Sequence, residues 1–343
     1  MARSGILCAG AWCVDRNLQV NHWPAQETVS TILASTDFGG CPGHNMSSAL
    51  KRLGAPFPVS AQGLVGHDEF GALLFKICDE LGIERSALEM RAGIATSLTY
   101  AITARDTGKR TFFHQSGALA VQTPDDFDFT NSTCRIAHLG LPGVHKILDA
   151  PWREEASGWI TVLKKARAAG LQTNMELLTV EPEKIRAVAT PFLPWLDMLV
   201  INDQEIGAIA DMETLNAGQA DPQACQSAAA EVMARFPLAL VVVHFPAGAV
   251  GLSRDGTVVH CTSVNVPQSQ IVGSNGAGDS FTAGLLFGHH EGWPLMQSLK
   301  LAHASAAMSL RSAATTAAVV HWQECLQQAE SWGWREFESQ SGN

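Results

Sequence analysis

From Gly5 onward, short apolar runs alternate with stretches of helical periodicity, and no other feature constrains the fold as strongly. GILCAG (Gly5 to Gly10) reads as a strand, and HNMSSALKRLG then puts Met46, Ala49, Leu50 and Leu53 on one helical face before stopping at Gly54. PVSAQG is strand-like again. DEFGALLFKICDELG aligns Phe70, Leu73, Leu74, Ile77 and Leu81 in one stripe closed by Gly82. RIAHLG, LQTNME, DMLVIN and LALVVVH continue the pattern, and the run from Leu240 to Val243 is apolar on both faces, as buried parallel strands are. The expected class is α/β, a doubly wound and mainly parallel sheet flanked by helices.

Two segments, residues 18–38 and 96–113, alternate in polarity without helices between them. They are expected to form a small antiparallel β-sheet standing off the main sheet, a lid inserted at about residues 14–38 and 96–118. A decorative hairpin at the sheet edge is the other reading. The remainder of residues 1–335 reads as one domain, with 336–343 a loose C-terminal tail.

Of the 343 residues, 46% are hydrophobic and 16% charged, an ordinary globular balance. The net charge of -10 argues against nucleic acid or an anionic membrane as partner, since both demand a surplus of Lys and Arg. A nucleotide is compatible with that charge if backbone amides and a metal supply the local positive field. No apolar run approaches the roughly eighteen residues that a membrane span needs. The eight cysteines are scattered with no C-x-x-C pair, which points to reduced, buried thiols and a cytoplasmic protein.

IVGSNGAGDSFTAGLLFG, from Ile271 to Gly288, sets a glycine-rich turn ahead of a helical pattern. Fixing glycine costs entropy, so Gly276, Ala277, Gly278 and Asp279 mark a backbone that must stay bare. A bare loop opening a helix offers free N–H groups and the positive end of the helix dipole to a phosphate. A tight strand-to-helix turn with Asp279 as a first-turn acid fits the loop equally well.

Three motifs in order give the chain a resemblance to the PfkB carbohydrate kinases, the ribokinase family. GGCPGHNMSSALKRLG is similar to the family's first signature, NDQE (Asn202 to Glu205) to its Asn-x-x-Glu motif, and NGAGDSFTAG to its second signature. The resemblance implies transfer of the ATP γ-phosphoryl group to a sugar hydroxyl. It makes Asp279 the general base and the amides of Gly276, Ala277 and Gly278 an anion hole. It assigns Asn202 and Glu205 to Mg²⁺, through waters that this ion retains. Taken alone, that pair reads sooner as a capping box at a helix start. On the acceptor side it points to Asp15, Gly39, Gly40 and Asn45, with His114 and Gln115 from the lid segment RTFFHQSGA. On the nucleotide side it points to Asn202, His244, Gly248, Asn275 and His303. The family commonly dimerises through its lid, so a homodimer is expected.

Two departures qualify the resemblance. The second signature commonly opens Asp-Thr, where this chain has Gly273, Ser274 and Asn275, so a monovalent cation site is doubtful. In VVVHFPAGAVG, His244 and Pro246 replace a threonine and a glycine, and proline removes an N–H from the nucleotide edge. A nucleoside kinase of the same family and a non-catalytic sugar- or nucleotide-binding relative are the alternatives. A dinucleotide oxidoreductase is disfavoured, because no G-x-G-x-x-G follows the first strand.

Overall fold

The computed structural model describes residues 3–337. In chain order the first half comprises β1 (Ile6–Gly10), β2 (Cys13–Val20), β3 (Ile32–Gly40), α1 (Cys41–Arg52), β4 (Val59–Gly66), α2 (Glu69–Leu81), β5 (Glu84–Arg91), β6 (Ser97–Ala104), β7 (Arg110–Gln115), β8 (Ile136–Gly140), α3 (Gly158–Ala168) and β9 (Gln172–Met175). The second half comprises α4 (Pro182–Ala189), β10 (Met198–Asn202), α5 (Asp203–Ala210), β11 (Leu215–Asn216), β12 (Gln219–Ala220), α6 (Pro222–Arg235), β13 (Leu240–Phe245), β14 (Gly248–Ser253), β15 (Val258–Thr262), α7 (Ala277–His290), α8 (Leu295–Ser309) and α9 (Trp322–Trp332).

Nine strands build the main sheet in the order β15-β14-β13-β10-β9-β8-β1-β4-β5. The strands from β13 through to β5 pair in parallel, and β14 and β15 add an antiparallel edge. Successive side chains point to opposite faces of a strand, and here both faces are covered. Leu7 and Ala9 of β1 and Val241 and Val243 of β13 enter one core with Trp159, Ile206 and Val232 from α3, α5 and α6. Ile6, Cys8, Leu240 and Val242 enter the other, with Met46, Phe281, Leu285 and Leu301 from α1, α7 and α8. This is the doubly wound α/β class that the alternation implies.

Local chemistry sets the element ends. The Asp68 carboxylate accepts from Gly71 N at 2.9 Å and opens α2, and Gly82 closes it at φ 65°. Pro246 sits in the two-residue turn between Phe245 and Gly248 that joins β13 to β14, where its fixed φ costs nothing and its missing N–H is not needed.

The second sheet has the order β3-β2-β6-β7. It is not wholly antiparallel: β2 pairs with β3 and β6 with β7 in antiparallel fashion, but β2 and β6 run parallel from Cys13↔Ser97 to Val20↔Ala104. The reason is connectivity. The chain returns to β6 only after passing through α1, β4, α2 and β5, and so re-enters the small sheet in the original direction. Of the tail, Phe337 packs beside Phe245 with ring centroids 6.4 Å apart, while residues 338–343 lie outside the described residues. Among the described residues no helix is long and apolar enough to cross a membrane.

Candidate active site

The bare turn adopts the conformation that its glycines permit. Gly276 has φ 80°, and a Cβ there would lie 2.7 Å from Thr315 Cβ and 2.9 Å from its backbone, so only glycine fits. The first bond of α7 runs from Ser280 N to Gly276 O at 2.9 Å. The amides of Gly278 and Asp279 therefore have no carbonyl within the helix, and they face out from its positive end. Ala277 N turns back to Ser274 O at 3.3 Å, so one of the three expected amides is already engaged. A phosphate fits this turn.

Asp279 is 9% exposed at this helix start. Its Oδ2 accepts from Asn45 Nδ2 at 3.1 Å, and Thr315 Oγ1 donates to Asn45 Oδ1 at 2.9 Å, which fixes the amide's orientation. Asn45 reaches this point because α1 starts at Cys41 beneath the extended Gly40 cap, placing Asn45 one turn into the helix. Burial first, and then the neighbouring Glu176, raise the Asp279 carboxyl above the usual carboxylate range.

Asp15 is 8% exposed on β2, one strand away from the double glycine of β3. A Cβ on Gly40 would lie 2.5 Å from the Asp15 carboxylate, and one on Gly39 would lie 2.2 Å from His44 Nε2. The double glycine thus leaves room for a carboxylate and an imidazole. Burial raises the Asp15 carboxyl, against hydrogen bonding by Cys13, Asn275 and Thr99. Asn275 of the turn before α7 thereby meets the small sheet. His114 of β7 shares a 3.1 Å hydrogen bond with Thr99 of β6, while Gln115 pairs with Leu98 at the outer edge and is exposed.

Asn202 and Glu205 form a complete capping box. Glu205 N donates to Asn202 Oδ1 at 2.9 Å and Asn202 N to Glu205 Oε2 at 3.0 Å, while Thr179 Oγ1 donates to Glu205 Oε1 at 2.6 Å. The structural reading of this motif is therefore real. Both carboxylate oxygens retain lone pairs, and they suit a hydrated Mg²⁺ better than direct ligation. Among the described residues, no three His, Cys, Asp or Glu side chains converge as a direct metal site.

His244 lies opposite Asn202 in the β10–β13 register, and its Cε1 would be 3.6 Å from a Cβ on Gly278. His244 and His303 each flank the Phe281 ring at 4.9 Å, and burial drives their pKa values down to about 4 and about 3. Both are neutral. Gly248 stands apart: a Cβ there would meet the Cys261 carbonyl at 2.5 Å and the Phe337 ring at 2.8 Å, so close sheet packing accounts for this glycine.

Two functional candidates escaped the reading of the sequence. Arg110 of β7 reaches back to the turn, with Nη2 3.8 Å from where a Gly273 Cβ would be, and its charge acts on Asp15. Glu176, just past β9, is within hydrogen-bonding reach of Asp279, and its Oε2 lies 3.5 Å from His138 Nε2. The signals were Arg110, Phe112 and His114 at period two, and Asn174 and Glu176 at period two in a strand otherwise placed in the core.

A glycine turn at a helix start thus lies beside a group of buried polar side chains, and comparison with known proteins names the family. A model of the pfkB family carbohydrate kinases matches residues 4–322. The chain belongs to this family. Among curated relatives of this pfkB-family chain, the 5-dehydro-2-deoxygluconokinase of Shouchella clausii (strain KSM-K16) is 23% identical over 309 residues, covering 88% of each chain. Among solved structures, Arabidopsis thaliana ribokinase complexed with ribose and ATP superposes with a TM-score of 0.78 at 18% identity, covering 96% of this chain and 99% of its own. The nucleoside kinase of Methanocaldococcus jannaschii, an archaeal member of the ribokinase family, gives 0.73 at 16% identity, covering 96% and 100%.

Proposed function

We propose that this pfkB-family chain transfers the γ-phosphoryl group of ATP to a hydroxyl of a sugar or sugar derivative, with Asp279 as general base. One observation carries the reading: a buried carboxylate at the N-terminus of α7, oriented by Asn45, beside a glycine turn whose helix amides are free. ATP would bring the group transferred, and Mg²⁺ would neutralise its charge, held through water by Asn202 and Glu205. The amides of Gly276 and Gly278 support charge that develops at the turn, with His244, Asn275 and His303 toward the nucleotide. Asp15, Asn45 and His114 offer both acceptors and donors, which suits vicinal hydroxyls better than a nucleobase. The kinship with a 5-dehydro-2-deoxygluconokinase supports a sugar-type acceptor, whereas the likeness to a nucleoside kinase concerns the fold alone. A thermal-shift screen of sugars, sugar acids and nucleosides, with and without ATP and Mg²⁺, tests this. Sugars or sugar acids stabilise the protein further in the presence of ATP; stabilisation by nucleosides alone contradicts the reading.

Gly273, Ser274 and Asn275 supply no carboxylate to a monovalent cation. Activity therefore changes by less than about two-fold when K⁺ is exchanged for a large inert cation at equal ionic strength. Strong activation by K⁺ would show a cation site built from other groups.

The small sheet and the loop after β2 expose large apolar side chains: Trp23, Ile32, Phe112 and Phe113 are 45%, 56%, 55% and 53% exposed. Its edge strands β3 and β7 are also open to pairing. A homodimer joined through these strands covers both features. Light scattering at micromolar concentration gives the mass of a dimer, and Phe113→Glu gives a monomer; a monomeric wild type overturns the assignment.

A further inference from the structure

Among the described residues Asp279 Oδ1 has no hydrogen-bond partner, nor do Glu176 Oε2 and His138 Nε2, although all three atoms are buried. These orphaned atoms lie together. Glu176 is within hydrogen-bonding reach of Asp279, and its Oε2 is 3.5 Å from His138 Nε2. His138 is fully buried on β8, opposite Asn174 of β9, whose Nδ2 is 2.9 Å from His138 Nδ1. An amide NH₂ can only donate, so Nδ1 accepts and the imidazole proton belongs on Nε2, facing Glu176. Buried polar atoms left single call for an explanation, and a catalytic role is one of those open to them.

We infer that Glu176 and Asp279 act as one proton-sharing carboxyl pair, oriented from behind by His138 and Asn174, with Glu176 the positioning residue for the base. The inference rests on the reading of Asp279 as base. Two carboxylates in hydrogen-bond contact cannot both be charged cheaply, so one proton stays between them. The groups facing the pair are Asp15 of β2, Glu205 of α5, His138 of β8 and His44 of α1, beside Asn45. None is a cation at neutral pH: burial holds the pKa values of His138 and His44 at about 4. Glu176 itself is pushed up to about 8, by burial first and then by the charge of Glu205. Glu205 acts on Glu176 through its charge, while its own oxygens bond to Thr179 and to Asn202 N. With Glu176 carrying the proton and donating to it, Asp279 keeps Oδ1 free to take the acceptor's hydroxyl proton as that O–H bond breaks. Loss of the shared proton at higher pH puts a second negative charge beside the anion-binding turn.

The test is the pH profile of kcat/KM. Wild type shows an alkaline limb near pH 8, where Glu176 gives up its proton. Glu176→Gln, which has no such proton, loses this limb, while Glu176→Asp retains one. A merely structural loss lowers activity at every pH and leaves the limb in place. An unchanged limb in Glu176→Gln overturns the inference, as does a wild-type profile flat through this range. If the variant does not fold, an infrared titration of the wild type decides: a protonated carboxyl persists at neutral pH, and its absence overturns the pairing. Near-normal turnover in Asp279→Asn would remove the base reading, yet would leave that infrared band in place, so the two failures are distinguishable.

Discussion

Asp279→Asn lowers kcat by about 10²-fold or more and leaves ATP binding within about two-fold of wild type. Asparagine preserves the shape of the side chain and an oxygen for Asn45 Nδ2, which donates to Asp279 at 3.1 Å. What disappears is the capacity to accept a proton. The loose transition state of phosphoryl transfer asks for little proton removal early, which keeps the loss to a few orders of magnitude. In the proposed roles the turn amides and not this carboxylate hold the nucleotide, so steady-state kinetics and calorimetry with ATP and Mg²⁺ separate the two effects. Turnover close to wild type is incompatible with Asp279 as base.

Gly276→Ala lowers kcat/KM by about 10²- to 10³-fold, the scale on which a displaced anion-hole donor acts. The residue sits at φ 80°, and its new Cβ would press to 2.7 Å from Thr315 Cβ and 2.9 Å from its backbone. Thr315 also donates to Asn45 at 2.9 Å, so the displacement passes directly to the partner of the base. Gly278→Ala is the matched control. Its Cβ would meet only His244, at 3.6 Å and in ordinary contact, so the turn keeps its shape and activity falls by less than about ten-fold. Equal losses in the two variants would contradict the assignment of the constraint to Gly276.

How much of this was legible in the sequence differs from element to element. The parallel core announces itself locally, because a strand such as Leu240–Phe245, covered on both faces, must be apolar at successive positions. The turn before α7 is legible for the same reason: glycine at φ 80° leaves a one-letter trace. Pairing direction leaves none. Whether β2 meets β6 in parallel depends on the path through five intervening elements, and alternation in polarity is the same either way. Asn202 and Glu205 spelled two things at once, and the capping box is present in full whether or not a hydrated metal lies beyond it. Glu176 and His138 were hidden for a different reason. Each belongs to a segment that reads as an ordinary strand, and only the register His138↔Asn174 brings them onto the face that meets α7. The four polar residues among the five from Gln172 to Glu176 were the available sign that this strand end does more than pack.

The central claim, ATP-dependent phosphorylation of a sugar-type hydroxyl at Asp279, is tested most directly by ³¹P NMR of the protein with ATP, Mg²⁺ and a panel of sugars, sugar acids and nucleosides. The account predicts a new phosphomonoester resonance with at least one sugar or sugar acid, growing in step with ADP and absent with Asp279→Asn. An ester formed only with nucleosides, or no ester from a protein that binds ATP and a sugar, contradicts it.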